Sequence, residues 1–199
     1  MPQDYAEAEK WFRKATRQDI AEAQYNLGLM YDTGQGVQQD YTEAEKWYRE
    51  AAMQGHASAQ YNLSLMYRDG DGVPQDYAEA VKWARMAAEQ GDAGAQSNLA
   101  GMHANGQGVP QDYAEAARWA RKAAERGYVY AQYNLGVMYR DGLGVTRDYI
   151  SAHMWFDLAA AAGEENAQKN RAEMAKHMTP DQIAEAQRMA REWRPKHQR

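Results

Sequence analysis

The sequence predicts an all-α solenoid of helix-turn-helix repeats, each 36 residues long, and two observations carry this prediction. A similar segment returns every 36 residues without insertion or deletion, beginning at Ala23, Ala59, Ala95 and Ala131. Each copy then reaches a Gly-x-Gly-Val segment and an Asp-Tyr pair at the same distance. A constant period of this length is typical of stacked repeats whose core runs along the chain.

The period divides a single repeat domain into a half repeat, complete repeats and a modified end. Residues 1–19 match only the second half of a repeat. The complete repeats are 20–55, 56–91, 92–127 and 128–163, and residues 164–199 are the C-terminal capping helices. Because the half repeat leaves Tyr5, Trp11 and Phe12 without their usual cover, we expect self-association through this segment.

The first helix of each repeat, helix A, is predicted from apolar residues at helical spacing. In the second complete repeat these residues are Ala59, Leu63, Met66 and Tyr67. Gly70 is expected to end the helix, because glycine adopts the left-handed conformation without a steric penalty. Gly72 is expected to let the chain double back closely.

The second helix, helix B, begins at an aspartate cap. Asp76 is followed three residues later by Glu79, which predicts a capping box. The apolar face of the helix combines several alanines with Trp83, which fills the space between layers. Replacing Trp83 by alanine is therefore expected to lower the free energy of unfolding by about 3 to 5 kcal/mol.

The last unit departs from the pattern. Arg171 replaces the repeated leucine, and a new helix is predicted to begin at Thr179 and Pro180, out of register with the repeats. Its apolar face, which is expected to close the stack, consists of Ile183, Ala186, Met189, Ala190 and Trp193.

The amino-acid composition excludes several classes of function and of binding site. A net charge of −5 argues against a dominant role in binding nucleic acid, which requires a basic surface. The chain has no cysteine, so thiolate metal sites and thiol nucleophiles are excluded. No apolar run is long enough for membrane insertion, and the sequence as given carries no signal peptide. The sequence does not decide the cellular compartment. The protein is expected to be periplasmic or secreted if the N-terminus has been truncated, and cytoplasmic otherwise.

The repeated motifs Ala-Gln-Tyr-Asn-Leu-Gly-x-Met-Tyr, Gly-x-Gly-Val and Asp-Tyr-x-x-Ala, followed by tryptophan, resemble the Sel-one-like repeats, relatives of the tetratricopeptide repeats. The resemblance implies antiparallel helices stacked in a right-handed α/α superhelix, with helix A lining the concave face. It also implies an adaptor that binds other proteins and needs no cofactor. The family's partners are diverse, so the resemblance does not choose one.

A partner-binding site is predicted at positions two, five, nine and twelve of helix A, here called the groove positions. In the third complete repeat these positions carry only small residues, whereas Tyr61, Arg68, Tyr133 and Arg140 flank them. This pattern indicates a pocket floor between aromatic and cationic anchors, suited to a peptide with an aromatic or acidic group. Neutral variation on a solvated face is the alternative.

One asparagine recurs in every helix A. The regularly spaced row of these asparagines can hydrogen-bond the main chain of an extended peptide. Alternatively, each asparagine can hydrogen-bond the backbone of the next repeat. The predicted partner-binding residues are Tyr25, Asn26, Tyr61, Asn62, Arg68, Asn98, Tyr133, Asn134 and Arg140.

No catalytic motif is apparent. The Gly-x-Gly pairs follow helices rather than strands, the histidines lack metal-ligand spacing, and no serine has a lysine three residues later. The sequence therefore predicts neither an enzyme nor a metal site. The alternative function is a cell-envelope hydrolase or a protein that binds muropeptides or beta-lactams.

Overall fold

The computed structural model describes residues 20–195, which form ten α-helices and no strand. In chain order the helices are α1 (Ala21–Thr33), α2 (Tyr41–Met53), α3 (Ala57–Asp69), α4 (Tyr77–Glu89), α5 (Ala93–Asn105), α6 (Tyr113–Glu125), α7 (Val129–Asp141), α8 (Tyr149–Ala161), α9 (Glu165–Ala175) and α10 (Pro180–Glu192). Helices A and B of the complete repeats alternate as predicted, which confirms the all-α repeat solenoid. The half repeat with Tyr5, Trp11 and Phe12 lies outside the described residues, so its self-association stays a prediction.

The chain divides into two compact units, Met1–Asp92 and Ala93–Arg199. In the first unit, α2 packs against both α1 and α3, and α4 packs against α3. In the second unit, α5, α6, α7 and α8 each pack against the helix that follows, and α10 packs against α8. Each unit is therefore built from neighbouring helices of the repeat.

The two glycines after helix A have separate tasks, as predicted. Gly70 and Gly142 end their helices in the left-handed conformation, with φ of 83° and 71°. Gly72 follows with φ of 73°, and a Cβ added there would lie 2.5 Å from the carbonyl oxygen of Tyr41. The second glycine therefore permits close contact with the start of the preceding helix B.

The predicted capping box of helix B forms only in part. The carboxylate of Asp76 accepts hydrogen bonds from the backbone N–H groups of Ala78 and Glu79, at 2.9 and 3.1 Å. The backbone N–H of Asp76 already donates to the carbonyl of Tyr67 at 2.8 Å, so it is not available to Glu79. Glu79 instead accepts from Lys82 at 3.0 Å. A complete capping box is present at the start of α10, between Thr179 and Gln182.

The repeated apolar residues form the core. The repeated leucines are fully buried, and Trp83 and Trp119 are 5% and 2% exposed. In the second unit, Ala186, Met189 and Trp193 of α10 join the core cluster that contains Trp155. The apolar face of α10 therefore packs into the core of the second unit, and closure of the stack by this helix stays a prediction.

Candidate functional site

The groove positions lie on the accessible side of helix A in both units, because none of them is buried. They are Glu22, Tyr25, Leu29 and Asp32 in α1; Ser58, Tyr61, Leu65 and Arg68 in α3; Gly94, Ser97, Gly101 and Ala104 in α5; and Tyr130, Tyr133, Val137 and Arg140 in α7. Helical periodicity explains this placement, since the repeated alanine, leucine and methionine occupy the opposite, buried side.

In the first unit, Tyr25 stacks on His56, with ring centroids 4.6 Å apart and an interplanar angle of 21°. His56 also caps α3, because its Nδ1 accepts the backbone N–H of Ala59 at 3.2 Å. Its Nε2 lies 3.0 Å from a carboxylate oxygen of Glu22. Burial is the main cause that raises the pKa of Tyr25, so this tyrosine stays neutral. The sequence pattern did not indicate a role for His56, because stacking between helices leaves no periodic signal.

In the second unit, Tyr133, Arg140 and Asn170 form a connected group. The Nδ2 of Asn170 donates to the backbone carbonyl of Asn166 at 2.9 Å and lies 3.4 Å from the hydroxyl of Tyr133. Arg140 donates to the Oδ1 of Asn170. The ring of Tyr133 packs 5.9 Å from that of Phe156. These contacts hold the predicted aromatic and cationic residues in defined positions.

Each groove arginine is paired with the aspartate that follows it. Arg68 donates to both carboxylate oxygens of Asp69, at 2.8 and 2.7 Å. Arg140 makes the same two contacts with Asp141, both at 2.7 Å, and its hydrogen bonds are the main cause that lowers the pKa of Asp141. An acidic ligand would have to compete with these aspartates. The geometry therefore favours an aromatic ligand group over an acidic one.

The repeated asparagine contacts the tyrosine of the preceding repeat in each unit. Asn62 hydrogen-bonds with Tyr25 in the first unit, and Asn170 approaches Tyr133 in the second. Asn26 instead donates to the backbone carbonyl of Glu22 at 2.8 Å, within its own helix. Asn62 and Asn170 thus approach a side chain of the preceding repeat, and Asn170 also bonds a backbone carbonyl of its own helix, whereas one prediction from the sequence was the next repeat's backbone.

We expect the asparagines to separate by role. Asn62→Ala should lower the free energy of unfolding by about 1 kcal/mol, because it removes a hydrogen bond at a partly buried tyrosine. Asn134→Ala should change it by less than about 0.5 kcal/mol, because Asn134 is exposed. Urea unfolding followed by circular dichroism measures both. Equal losses for the two variants would contradict the assignment of a structural role to Asn62 alone.

The small groove positions of the third complete repeat leave open space. Ser97, Gly101 and Ala104 of α5 are half-buried, and a Cβ added at Gly101 would meet no atom within 4 Å. The layer beneath is also small, because Ala120 stands where the first and fourth complete repeats carry Tyr48 and Phe156. The predicted pocket floor is therefore an open surface of α5.

A repeated glutamine, which sequence analysis did not single out, connects helices. The side chain of Gln60 is buried, donates to the backbone carbonyl of Ala52 at 3.0 Å, and accepts from Gln90 at 2.7 Å. Gln132 donates in the same way to Ala124 at 3.3 Å. Its recurrence in every helix A was the only sign of its importance in the sequence. Its hydrogen bonds show that it has a structural role, joining neighbouring helices.

Residues 20–195 offer neither a metal-binding group nor a membrane-spanning helix. That range contains no group of three histidine, aspartate or glutamate residues placed to hold a metal ion. None of its helices combines the length and apolar character needed to cross a bilayer.

Comparison with known proteins identifies the repeats. The Sel1 repeat model matches residues 1–20, 21–56, 57–92, 93–128 and 129–164. A Sel1 repeat protein from Oxalobacter formigenes is similar in structure, with a TM-score of 0.82 and 33% identity, over 96% of this chain and 80% of that one.

A protective antigen of uropathogenic Escherichia coli with an SLR fold is also similar. Its TM-score is 0.62 and its identity is 31%, over 97% of this chain and 49% of that one. No curated protein matches the sequence. Because the repeat model covers most of the sequence at the period seen in the helices, the chain belongs to the Sel1 repeat family.

Proposed function

We propose that this chain is a non-catalytic scaffold that binds a peptide or partner protein along the groove positions of its first helices. Sel1 repeat proteins are generally protein-interaction scaffolds, and their fold is typically non-catalytic. The observation that carries the proposal is that the groove positions are accessible within each unit, where aromatic residues among them are held by internal contacts. Rigid aromatic side chains lose little entropy on binding and are common hot spots.

The second unit offers the best-defined part of this surface. Tyr133 is fixed by Phe156 and Asn170, while the exposed Asn134 on the same helix has donor and acceptor groups for a peptide main chain. The floor at Gly101 has room for a side chain. We therefore infer an extended peptide with an aromatic residue near Tyr133.

The alternative function, a cell-envelope hydrolase or a muropeptide or beta-lactam binder, is not favoured. Such chemistry requires an activated nucleophile, and no serine of the chain is followed three residues later by lysine. No observation in the described helices supports this alternative over the scaffold.

A display selection with random peptides tests the proposal. Peptides selected on the wild-type protein should be rich in aromatic residues, and Tyr133→Ser should weaken their binding about tenfold or more, because it removes an anchor. Arg118→Ala is a matched control, since Arg118 lies on helix B and pairs with Glu115. Selected peptides that bind wild type and Tyr133→Ser equally would contradict the proposed site.

A further inference from the structure

The last three described helices form a cleft whose lining residues include none of the groove positions. The helices α9 and α10 both pack against α8, but within residues 20–195 they do not pack extensively against each other. This differs from the complete repeats, in which helix B packs closely against its own helix A. The cleft, here called the terminal cleft, has a volume of about 490 Å3, within the range of sites for small ligands.

The terminal cleft opens where the complete repeats have a closed core. Arg171 stands at the position of the fully buried repeated leucine, and Gln168 at that of the buried repeated glutamine. In the complete repeats that glutamine is 1 to 3% exposed, whereas Gln168 is exposed and lines the cleft. Two positions that are buried in the complete repeats therefore carry polar side chains that line the terminal cleft.

The charges of the terminal cleft suit a single negative group. Arg171 donates to Asp157 at 2.6 Å and keeps further guanidinium N–H groups for another acceptor. Arg191 of α10 also lines the cleft, and its side chain makes no ion pair or hydrogen bond within the described residues. Two arginines and one aspartate leave one net positive charge among the lining residues. A carboxylate matches this charge, whereas Asp157 would repel a more highly charged anion.

The other lining residues suit a short peptide. Gln168 of α9 and Gln187 of α10 line the cleft, and a side-chain amide can both donate to and accept from a peptide main chain. Leu158, Ala160 and Ala161 of α8 form an apolar floor. The walls thus combine a site for a carboxylate with amide groups and room for small apolar side chains.

We propose that the terminal cleft binds a short peptide through its free C-terminal carboxylate. The arginine fork of Arg191 receives the carboxylate, the glutamine amides pair with the main chain, and the alanine and leucine floor receives a small apolar side chain. This activity does not depend on the groove positions, so a failure of either proposal leaves the other intact.

Isothermal titration calorimetry with two probes tests the proposal. The probes are acetyl-Ala-Leu-Ala with a free carboxylate and the same tripeptide with a C-terminal amide. The acid should bind at least tenfold more tightly than the amide, because only the acid carries the charge that the arginines recognise. Raising the salt concentration should reduce this difference, since the cleft is open to solvent.

Two variants of α10 identify the site. Arg191→Gln should remove most of the difference between acid and amide, because it removes the guanidinium that has no partner within the described residues, while Arg171 remains held by Asp157. Arg188→Gln is the matched control: Arg188 pairs with Glu185 and Glu192 and does not line the cleft, so this variant should bind as wild type does. Circular dichroism establishes that both variants are folded, and Arg191→Lys, which restores the charge, should recover part of the difference.

Three calorimetric results would overturn the proposal. They are the absence of acid binding at millimolar concentration, equal affinity for acid and amide, and equal effects of Arg191→Gln and Arg188→Gln. Chemical shifts of the backbone amides supply an independent measurement. Binding in the terminal cleft should move the signals of Ala160, Ala161 and Gln168, whereas shifts confined to α5 and α7 would place the peptide at the groove positions and refute the assignment.

Discussion

Replacing Trp83 by alanine is expected to lower the free energy of unfolding by about 3 to 5 kcal/mol. Trp83 is 5% exposed and belongs to a cluster with Tyr48, Leu63 and Met66. Many of its other neighbours are alanines, whose side chains are too short to move into the space that the indole would leave. The substitution should therefore leave a cavity as well as remove buried apolar surface.

Urea unfolding measured by far-ultraviolet circular dichroism checks this prediction without relying on tryptophan fluorescence. Trp83→Phe should lose less than Trp83→Ala, because a phenyl ring still fills part of the space. Tyr130→Ala is the exposed aromatic control: Tyr130 is 63% exposed, and its replacement should change the free energy of unfolding by less than about 0.5 kcal/mol. A loss below about 1 kcal/mol for Trp83→Ala would show that this tryptophan does not hold the layers together.

The regular part of the fold was predictable because the repeats provide internal comparison. The period, the aspartate caps, the left-handed glycines and the tryptophan of helix B all follow from local sequence and elementary backbone geometry. The capping-box role predicted for Glu79 was wrong, because the backbone N–H of Asp76 donates to Tyr67 in the preceding helix instead. Local capping rules do not contain that contact.

The groove positions were predictable as a row but not in their contacts. Helical spacing placed Tyr25 and Tyr133 on the accessible side. The stacking of Tyr25 on His56 and the pairing of Arg140 with Asp141 depend on side-chain rotamers and on the approach of the next helix. The terminal cleft depends on how α9 and α10 dock on α8, which the out-of-register start at Thr179 indicates only indirectly.

Comparison of the repeats also reveals a size complementarity between helices A and B. Gly28 faces Tyr48, and Gly136 faces Phe156, with an added Cβ 2.7 Å from the ring in both cases. The third complete repeat has Ala100 and Ala120 at the same two positions. A large residue on helix B thus accompanies glycine on helix A, and a small residue accompanies a larger one. The space between helices A and B is thus filled by a different pair of residues in each of these repeats.

A double-mutant cycle at Gly136 and Phe156 should therefore reverse the sign of one substitution. In the wild type, Gly136→Ala should lower the free energy of unfolding by about 1 to 3 kcal/mol, because the new methyl group collides with the buried ring of Phe156. Phe156→Ala alone should cost about 3 to 5 kcal/mol by leaving a cavity. Once the ring is absent, Gly136→Ala should stabilise the protein by about 0.5 to 1 kcal/mol, because alanine favours the helix over glycine.

Urea unfolding of the wild type, both single variants and the double variant measures the coupling between the two positions, which should exceed about 1 kcal/mol. Gly101→Ala is the control for helix propensity alone, since an added Cβ there meets nothing within 4 Å. It should stabilise the wild type by about the amount that Gly136→Ala gains in the Phe156→Ala background. Additive losses in the cycle would mean that helices A and B adjust their spacing freely, and that the glycine and the aromatic ring vary independently from repeat to repeat.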